Sequence, residues 1–234
     1  MLNKELQWTD AAARLADVGR TQLPGLLEPA LADSLFTCLH GEVPWSLALR
    51  DDEASRTLSA EEYARLDDAQ RREILDACSK RAVNGFSFAY ESYQMITAYL
   101  AKQNPDLLLH RMVEALNSPQ FLGFARELTG DNRIVKADCQ ATSYRPGHFL
   151  TLHDDTYEDE GRLFAFVLSL TRRWRADWGG LLHFADRSGR VIDTFVPAFN
   201  TFNVFKVPIH HCVSMVTPFA GEPRYSITGW LRSA

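Results

Sequence analysis

The chain has 234 residues, 46% of them hydrophobic and 24% charged, with a formal net charge of −5. This balance describes a globular protein able to bury a substantial core, and the length fits a single domain over 1–234. The acidic charge argues against nucleic-acid binding, which needs a basic face, and no apolar run approaches the length of a membrane span.

Met1-Leu2-Asn3-Lys4-Glu5-Leu6-Gln7 lacks the apolar core of a secretory signal. Cys38, Cys78, Cys139 and Cys212 are scattered and form no CxxC pair, which predicts reduced thiols in a cytoplasmic protein.

The first 130 residues carry mainly helical signals. Glu28 to Leu39 has apolar residues at helical spacing. Ser59-Ala60-Glu61-Glu62 is a capping box that opens a polar helical stretch reaching about Lys80. Phe86 to Tyr90 fits either a strand or the start of a helix, and Asp106 to Leu116 reads as a helix. Ser118-Pro119 supplies an N-cap with proline in the first turn, and Gly130 closes that helix.

From Arg133 onward short strands replace helices: Ile134–Tyr144, Phe149–Asp154, Leu163–Leu170, Leu181–Phe184, Val191–Phe195, Thr201–Val207, Ile209–Val216 and Arg224–Leu231. Turns fall at Arg145-Pro146-Gly147, Trp178-Gly179-Gly180, Arg187-Ser188-Gly189 and Ala220-Gly221-Glu222-Pro223. Strands so spaced predict an α+β fold: a double-stranded β-helix, or jelly roll, over 131–234, buttressed by helices from 1–130 that also shape substrate access.

Two imidazoles and one carboxylate are the protein ligands of open non-haem iron(II) sites. His153-Asp154-Asp155 provides one imidazole and a choice of carboxylates, and His210-His211 the second imidazole. Side chains alternate along a strand, so Phe149, Thr151, His153 and Asp155 are expected on one face and Asp154 on the other. The same alternation admits only one of His210 and His211. The apolar companions Ile209, Val213 and Met215 favour His211.

Arg224 and Ser226 share a face by the same period, where a guanidinium and a hydroxyl bind a carboxylate by charge-assisted hydrogen bonds. The bland alternatives are a surface hydrogen bond for His-x-Asp and a surface ion pair for Arg224. His183 and His148 read as ordinary strand and surface histidines, and Cys212 as pointing away from the metal. Thr156 to Gly161 is a polar loop at the barrel mouth, read either as solvated or as a substrate lid. The basic turn Arg172-Arg173-Trp174-Arg175 reads as solvated, and Asp51 to Lys80 as helical packing or an access-shaping insertion.

With these motifs in view, the segment from Asp138 to Arg232 resembles the iron(II) and 2-oxoglutarate-dependent dioxygenases, in particular their prolyl-hydroxylase-like branch. Tyr144-Arg145-Pro146-Gly147, His153-Asp154-Asp155, Trp178-Gly179-Gly180-Leu181-Leu182, His211-Cys212-Val213 and Arg224-Tyr225-Ser226-Ile227-Thr228-Gly229-Trp230 carry the resemblance. Their order and spacing are similar to those of the hypoxia-inducible-factor and ribosomal-protein prolyl hydroxylases. The resemblance implies that His153, Asp155 and His211 ligate iron(II). It also implies that Arg224 grips the distal carboxylate of 2-oxoglutarate with help from Tyr144 and Ser226. Dioxygen is the second cosubstrate, and ascorbate an accessory. Asp155 stands where related halogenases have a small residue, so hydroxylation is the implied outcome.

The expected reaction is hydroxylation of an unactivated C–H in a prolyl residue or a proline-like substrate, giving succinate and carbon dioxide. Hydroxylation of another amino acid or small metabolite is the alternative within the class. A catalytically silent jelly roll kept for binding or sensing is the alternative outside it. The expected partners are the small-molecule cosubstrate and a substrate protein, peptide or amino acid.

Overall fold

Ser118 accepts a hydrogen bond from the backbone N–H of Phe121 and Pro119 occupies the first turn, which starts helix α7 (Pro119–Thr129); Gly130, at φ 69°, ends it. The computed structural model describes residues 1–156 and 161–233. The other helices are α1 (Thr9–Val18), α2 (Pro29–Gly41), α3 (Ala60–Arg65), α4 (Asp68–Ala82), α5 (Met95–Leu100) and α6 (Leu108–Leu116). Four strands lie among them: β1 (Arg20–Pro24), β2 (Ser46–Arg50), β3 (Ser55–Leu58) and β4 (Phe88–Tyr93). Phe86 to Tyr90, left open between helix and strand, thus resolves as the start of a strand.

The remaining strands are β5 (Lys136–Ala137), β6 (Gln140–Tyr144), β7 (Phe149–His153), β8 (Arg162–Ser169), β9 (Leu182–Ala185), β10 (Val191–Phe195), β11 (Thr201–Lys206), β12 (His211–Val213) and β13 (Arg224–Arg232). The strand expected over Ile134–Tyr144 is split into β5 and β6, and that over Ile209–Val216 shrinks to the three residues of β12. The capping box at Ser59 is present, with Ser59 accepting from Glu62 N–H. The helix it opens stops at Arg65, because Leu66 is extended and Asp67 starts α4 with a second capping box to Gln70.

The strands pair antiparallel in the order β1-β11-β8-β13-β6-β4-β7-β12-β9-β10, with β2 and β3 continuing from β4 and β5 pairing with β13. This is the jelly roll the strand pattern predicts. The N-terminal half is more than helical support, since β1 and β4 are integral strands of the sheet.

Alternation along β8 sorts two cores. Phe164, Phe166 and Leu168 pack with Phe202, Val204, Tyr225 and Ile227 against helices α1, α2, α6 and α7. Ala165 and Val167 turn inward, with Tyr144, Leu182, Phe184, Phe205 and Val213, between the two layers of the folded sheet. A third cluster, Leu47, Leu49, Cys78, Ala89 and Phe149, seats α4 on the outside of β2, β4 and β7. The four cysteines are free, with Cys38, Cys78 and Cys139 buried. Among the described residues no helix is long and apolar enough to cross a membrane.

Candidate metal centre and oxo-acid pocket

His153 is the last residue of β7 and His211 the first of β12, and they stand directly opposite each other in the antiparallel pair. Their rings lie 4.2 Å apart. Two residues further on, Val213 pairs with Leu150 rather than Thr151, so β7 carries one extra residue in a bulge. The bulge resets the alternation. Leu150 and His153 both face the cavity inside the jelly roll. Phe149 packs outside and Thr151 bonds Ser87. The single face expected for Phe149, Thr151, His153 and Asp155 is therefore not the arrangement observed.

Asp155 follows the strand in the left-handed region, at φ 61°, where Asp is among the more tolerated residues. That turn carries its carboxylate back to the histidines. Oδ1 is 3.4 Å from His153 Nε2 and Oδ2 is 3.5 Å from His211 Nε2. Nδ1 of His153 is 2.9 Å from the Thr151 carbonyl and Nδ1 of His211 is 2.8 Å from the Ile209 carbonyl. A carbonyl only accepts, so each Nδ1 carries the proton and each Nε2 presents its lone pair to the centre.

Burial and the neighbouring His153 hold the His211 imidazole down to about 4, which keeps it neutral. Burial of Asp155 favours its acid form, but the neighbouring His153 and His211 and the Trp230 indole N–H outweigh it and hold the carboxyl below its ordinary range. One donor atom each from His153, Asp155 and His211 lies within 4.8 Å of the others, a spacing that one ion can bridge.

Asp154 is bonded instead to the backbone of Thr156. His210 and Cys212 do not line the cavity. The polar loop read as a lid has residues 157–160 outside the described part of the chain.

Deeper in the same cavity lies Arg224, at the start of β13. It is 3% exposed, and burial disfavours its cationic form. Among the described residues none forms an ion pair with it, and its Nε has no hydrogen-bond partner. An uncompensated buried guanidinium is costly, so the pocket is one that an anion completes.

Tyr144, directly across from Arg224 on β6, places its ring 5.1 Å from the guanidinium carbon and stacks on Tyr90 at the same centroid distance. Its phenol is pushed strongly up by burial, with the neighbouring Tyr90 adding to the effect, and so stays a proton donor. Ser226 shares the face of Arg224, but its hydroxyl pairs with Thr142 at 2.8 Å. Thr142 is the member of that pair lining the cavity. His148 is buried, accepts from Arg145 N–H through Nδ1, and is held down to about 4 by burial.

Phe86, Phe88, Leu150, Gln140, Thr142, Arg162, Thr228 and Trp230 complete a cavity of about 380 Å³, a size suited to a small ligand. Sequence reasoning did not single these out as site residues. The period of two offered a signal for Thr142 and Gln140, which share a face with Tyr144, and for Thr228 and Trp230, which share one with Arg224.

The family model of the 2OG-Fe(II) oxygenase superfamily matches residues 139–232, the stretch that runs from β6 through β13. Over that segment, less than half of the chain, the sequence is similar to the 2OG-Fe(II) oxygenase superfamily. A curated relative, Prolyl 3-hydroxylase OGFOD1 of Xenopus laevis, is 33% identical over 144 residues, covering 56% of this chain. The chain spans only 28% of that relative's length. Among solved structures, a 2OG-Fe(II) oxygenase family protein from Burkholderia pseudomallei aligns with a TM-score of 0.58 at 17% identity, covering 100% of this chain and 97% of its own. A Trichoplax adhaerens prolyl hydroxylase, solved with a hypoxia-inducible-factor peptide fragment, aligns at 0.52 and 16% identity over 95% of this chain and 87% of its own. At these identities the solved structures establish the fold alone, a jelly roll. The superfamily uses iron(II), 2-oxoglutarate and dioxygen, and the donor set His153, Asp155 and His211 fits iron(II).

Proposed function

We propose that the chain is a non-haem iron(II), 2-oxoglutarate-dependent dioxygenase. It hydroxylates an unactivated C–H of a prolyl residue or proline-like substrate, with succinate and carbon dioxide as coproducts. One observation carries the reading: three metal donors and a buried guanidinium with no ion-pair partner among the described residues share one cavity. Two imidazoles and a single carboxylate leave coordination positions for a chelating oxo-acid and for dioxygen. When bound, the iron and its oxo-acid supply the oxidative chemistry, and the protein supplies placement and a dry pocket.

In this reading His153, Asp155 and His211 hold the ion, and Arg224 holds the distal carboxylate of 2-oxoglutarate. The Tyr144 hydroxyl donates beside Arg224, and Thr142, backed by Ser226, completes the polar end. Leu182, Phe205 and Val213 keep water from that end. Phe86, Phe88, Leu150 and Trp230 wall the outer part with apolar faces against which a saturated ring packs. Support for proline comes from that wall and from the names of the relatives. We also read residues 1–234 as one domain, because β1 and β4 belong to the same sheet as β6–β13, and as cytoplasmic, in keeping with four free cysteines.

The test is oxygen-dependent succinate formation by iron-loaded protein supplied with prolyl peptides, free proline and other amino acids in turn. Stimulation by a prolyl substrate supports the proposal. Stimulation only by a different amino acid or metabolite moves the assignment there. No succinate with any of them, together with no oxo-acid binding, leaves a silent jelly roll.

A further inference from the structure

The Asp155 carboxylate is held by groups that the metal reading leaves unexplained. Trp230 Nε1–H donates to its Oδ2 at 3.1 Å. The Arg162 guanidinium lies over the same indole, with its central carbon 3.7 Å from the ring centroid. Arg162 Nη1 also reaches the Asp155 backbone carbonyl at 3.4 Å and stands 3.9 Å from Oδ1. Asp155 needs such support. It lies beyond the end of β7, at φ 61°, so no strand ladder fixes it.

Trp230 is anchored at its backbone. It pairs with Ala165 of β8, and its N–H donates to Asp138 Oδ1 at 2.8 Å while its carbonyl accepts from Asp138 N–H at 3.1 Å. A strand residue anchored at its backbone thus presents one polar atom to one oxygen of the Asp155 carboxylate.

We infer that Trp230 is a positioning residue for the metal-binding carboxylate, its indole N–H occupying Oδ2 so that Asp155 ligates the ion through Oδ1 alone. This rests on the metal reading above. A carboxylate with both oxygens free tends to chelate, taking a coordination position that the oxo-acid or dioxygen needs. A donor fixed on one oxygen opposes that rotation. Arg162, over the indole face, backs it.

The experiment titrates metal-free protein with cobalt(II) under nitrogen, following the visible absorption of the ion and the heat of binding. Wild type should take up one cobalt(II) per chain. Trp230→Phe keeps an aromatic ring at the site and removes the indole donor. It should bind about 10- to 100-fold more weakly, with an altered cobalt absorption spectrum and a melting temperature close to wild type. Equal affinity with a superimposable spectrum overturns the inference while leaving the metal site standing. Absence of any cobalt binding in wild type overturns the metal reading itself.

A second measurement avoids the variant. In ¹⁵N-labelled wild type, which has five tryptophans, zinc(II) should shift one indole N–H resonance and leave it protected from exchange. No indole shift at saturating zinc overturns the inference.

Discussion

His153 and Asp155 reach the same centre by different routes, and their separate routes set what substitutions should do. His153→Ala or Asp155→Ala removes a donor outright and should abolish measurable iron(II) uptake in equilibrium dialysis. Asp154→Ala should bind iron as wild type does, since the Asp154 carboxylate is tied to Thr156. Arg224→Ala should weaken 2-oxoglutarate binding by about 10- to 100-fold, the loss of one charge-assisted hydrogen bond or slightly more, while iron affinity changes little. Calorimetry with each ligand separately checks it, and equal loss of both would show the guanidinium misassigned. The identities of these residues were legible because few other chemistries need two histidines, one carboxylate and an arginine in that order. Their faces were not. A bulge depends on the partner strand, and nothing in Phe149 to His153 itself announces that Val213 will pair with Leu150.

The capping boxes at Ser59 and Asp67, the Ser118-Pro119 start and the Gly130 stop are local signals, so their helices could be read from the chain. The run from Ser59 to Lys80 hid a break, since Asp67-x-x-Gln70 restarts the helix inside an otherwise uniform polar stretch. Strands β1, β2 and β3 and helix α5 were not anticipated: each is at most 6 residues long and held by its partners more than by its own pattern. Helix α1 was not anticipated either, although Gly19 closes it with a local left-handed cap.

Two glycines separate local from tertiary constraint. Gly179 sits at φ 69° in the turn before β9, and a Cβ there would fall 2.0 Å from the Met215 carbonyl oxygen. Gly179→Ala should therefore destabilise the fold by roughly 2–4 kcal/mol. Gly123, inside α7 with nothing near its Cβ position, should stabilise the fold by about 0.5–1 kcal/mol when changed to Ala. Urea denaturation of both variants distinguishes the two.

Across the whole molecule, two interior histidines tie folding to pH. His148 and His211 are both held down to about 4 by burial, against 6.5 when unfolded. Their contribution to stability is complete above pH 6.5 and is lost as the pH falls from there through 4. Metal-free protein should accordingly lose melting temperature over that interval. His148→Gln should show a shallower loss, by up to about 3 kcal/mol of pH-linked stability. The jelly roll was legible as a whole because strands and turns recur at short spacing after Arg133. The completing strands from the N-terminal half were not, because their pairing partners are far away in sequence.

The most direct test of the account is an anaerobic titration of metal-free protein with iron(II) in the presence of 2-oxoglutarate, read by visible absorption. One equivalent of iron should raise a charge-transfer band that requires both ligands, vanishes in His211→Ala, and reappears in Arg224→Ala only at much higher 2-oxoglutarate. An undiminished band in His211→Ala, or no band in wild type at saturating iron and 2-oxoglutarate, would contradict it.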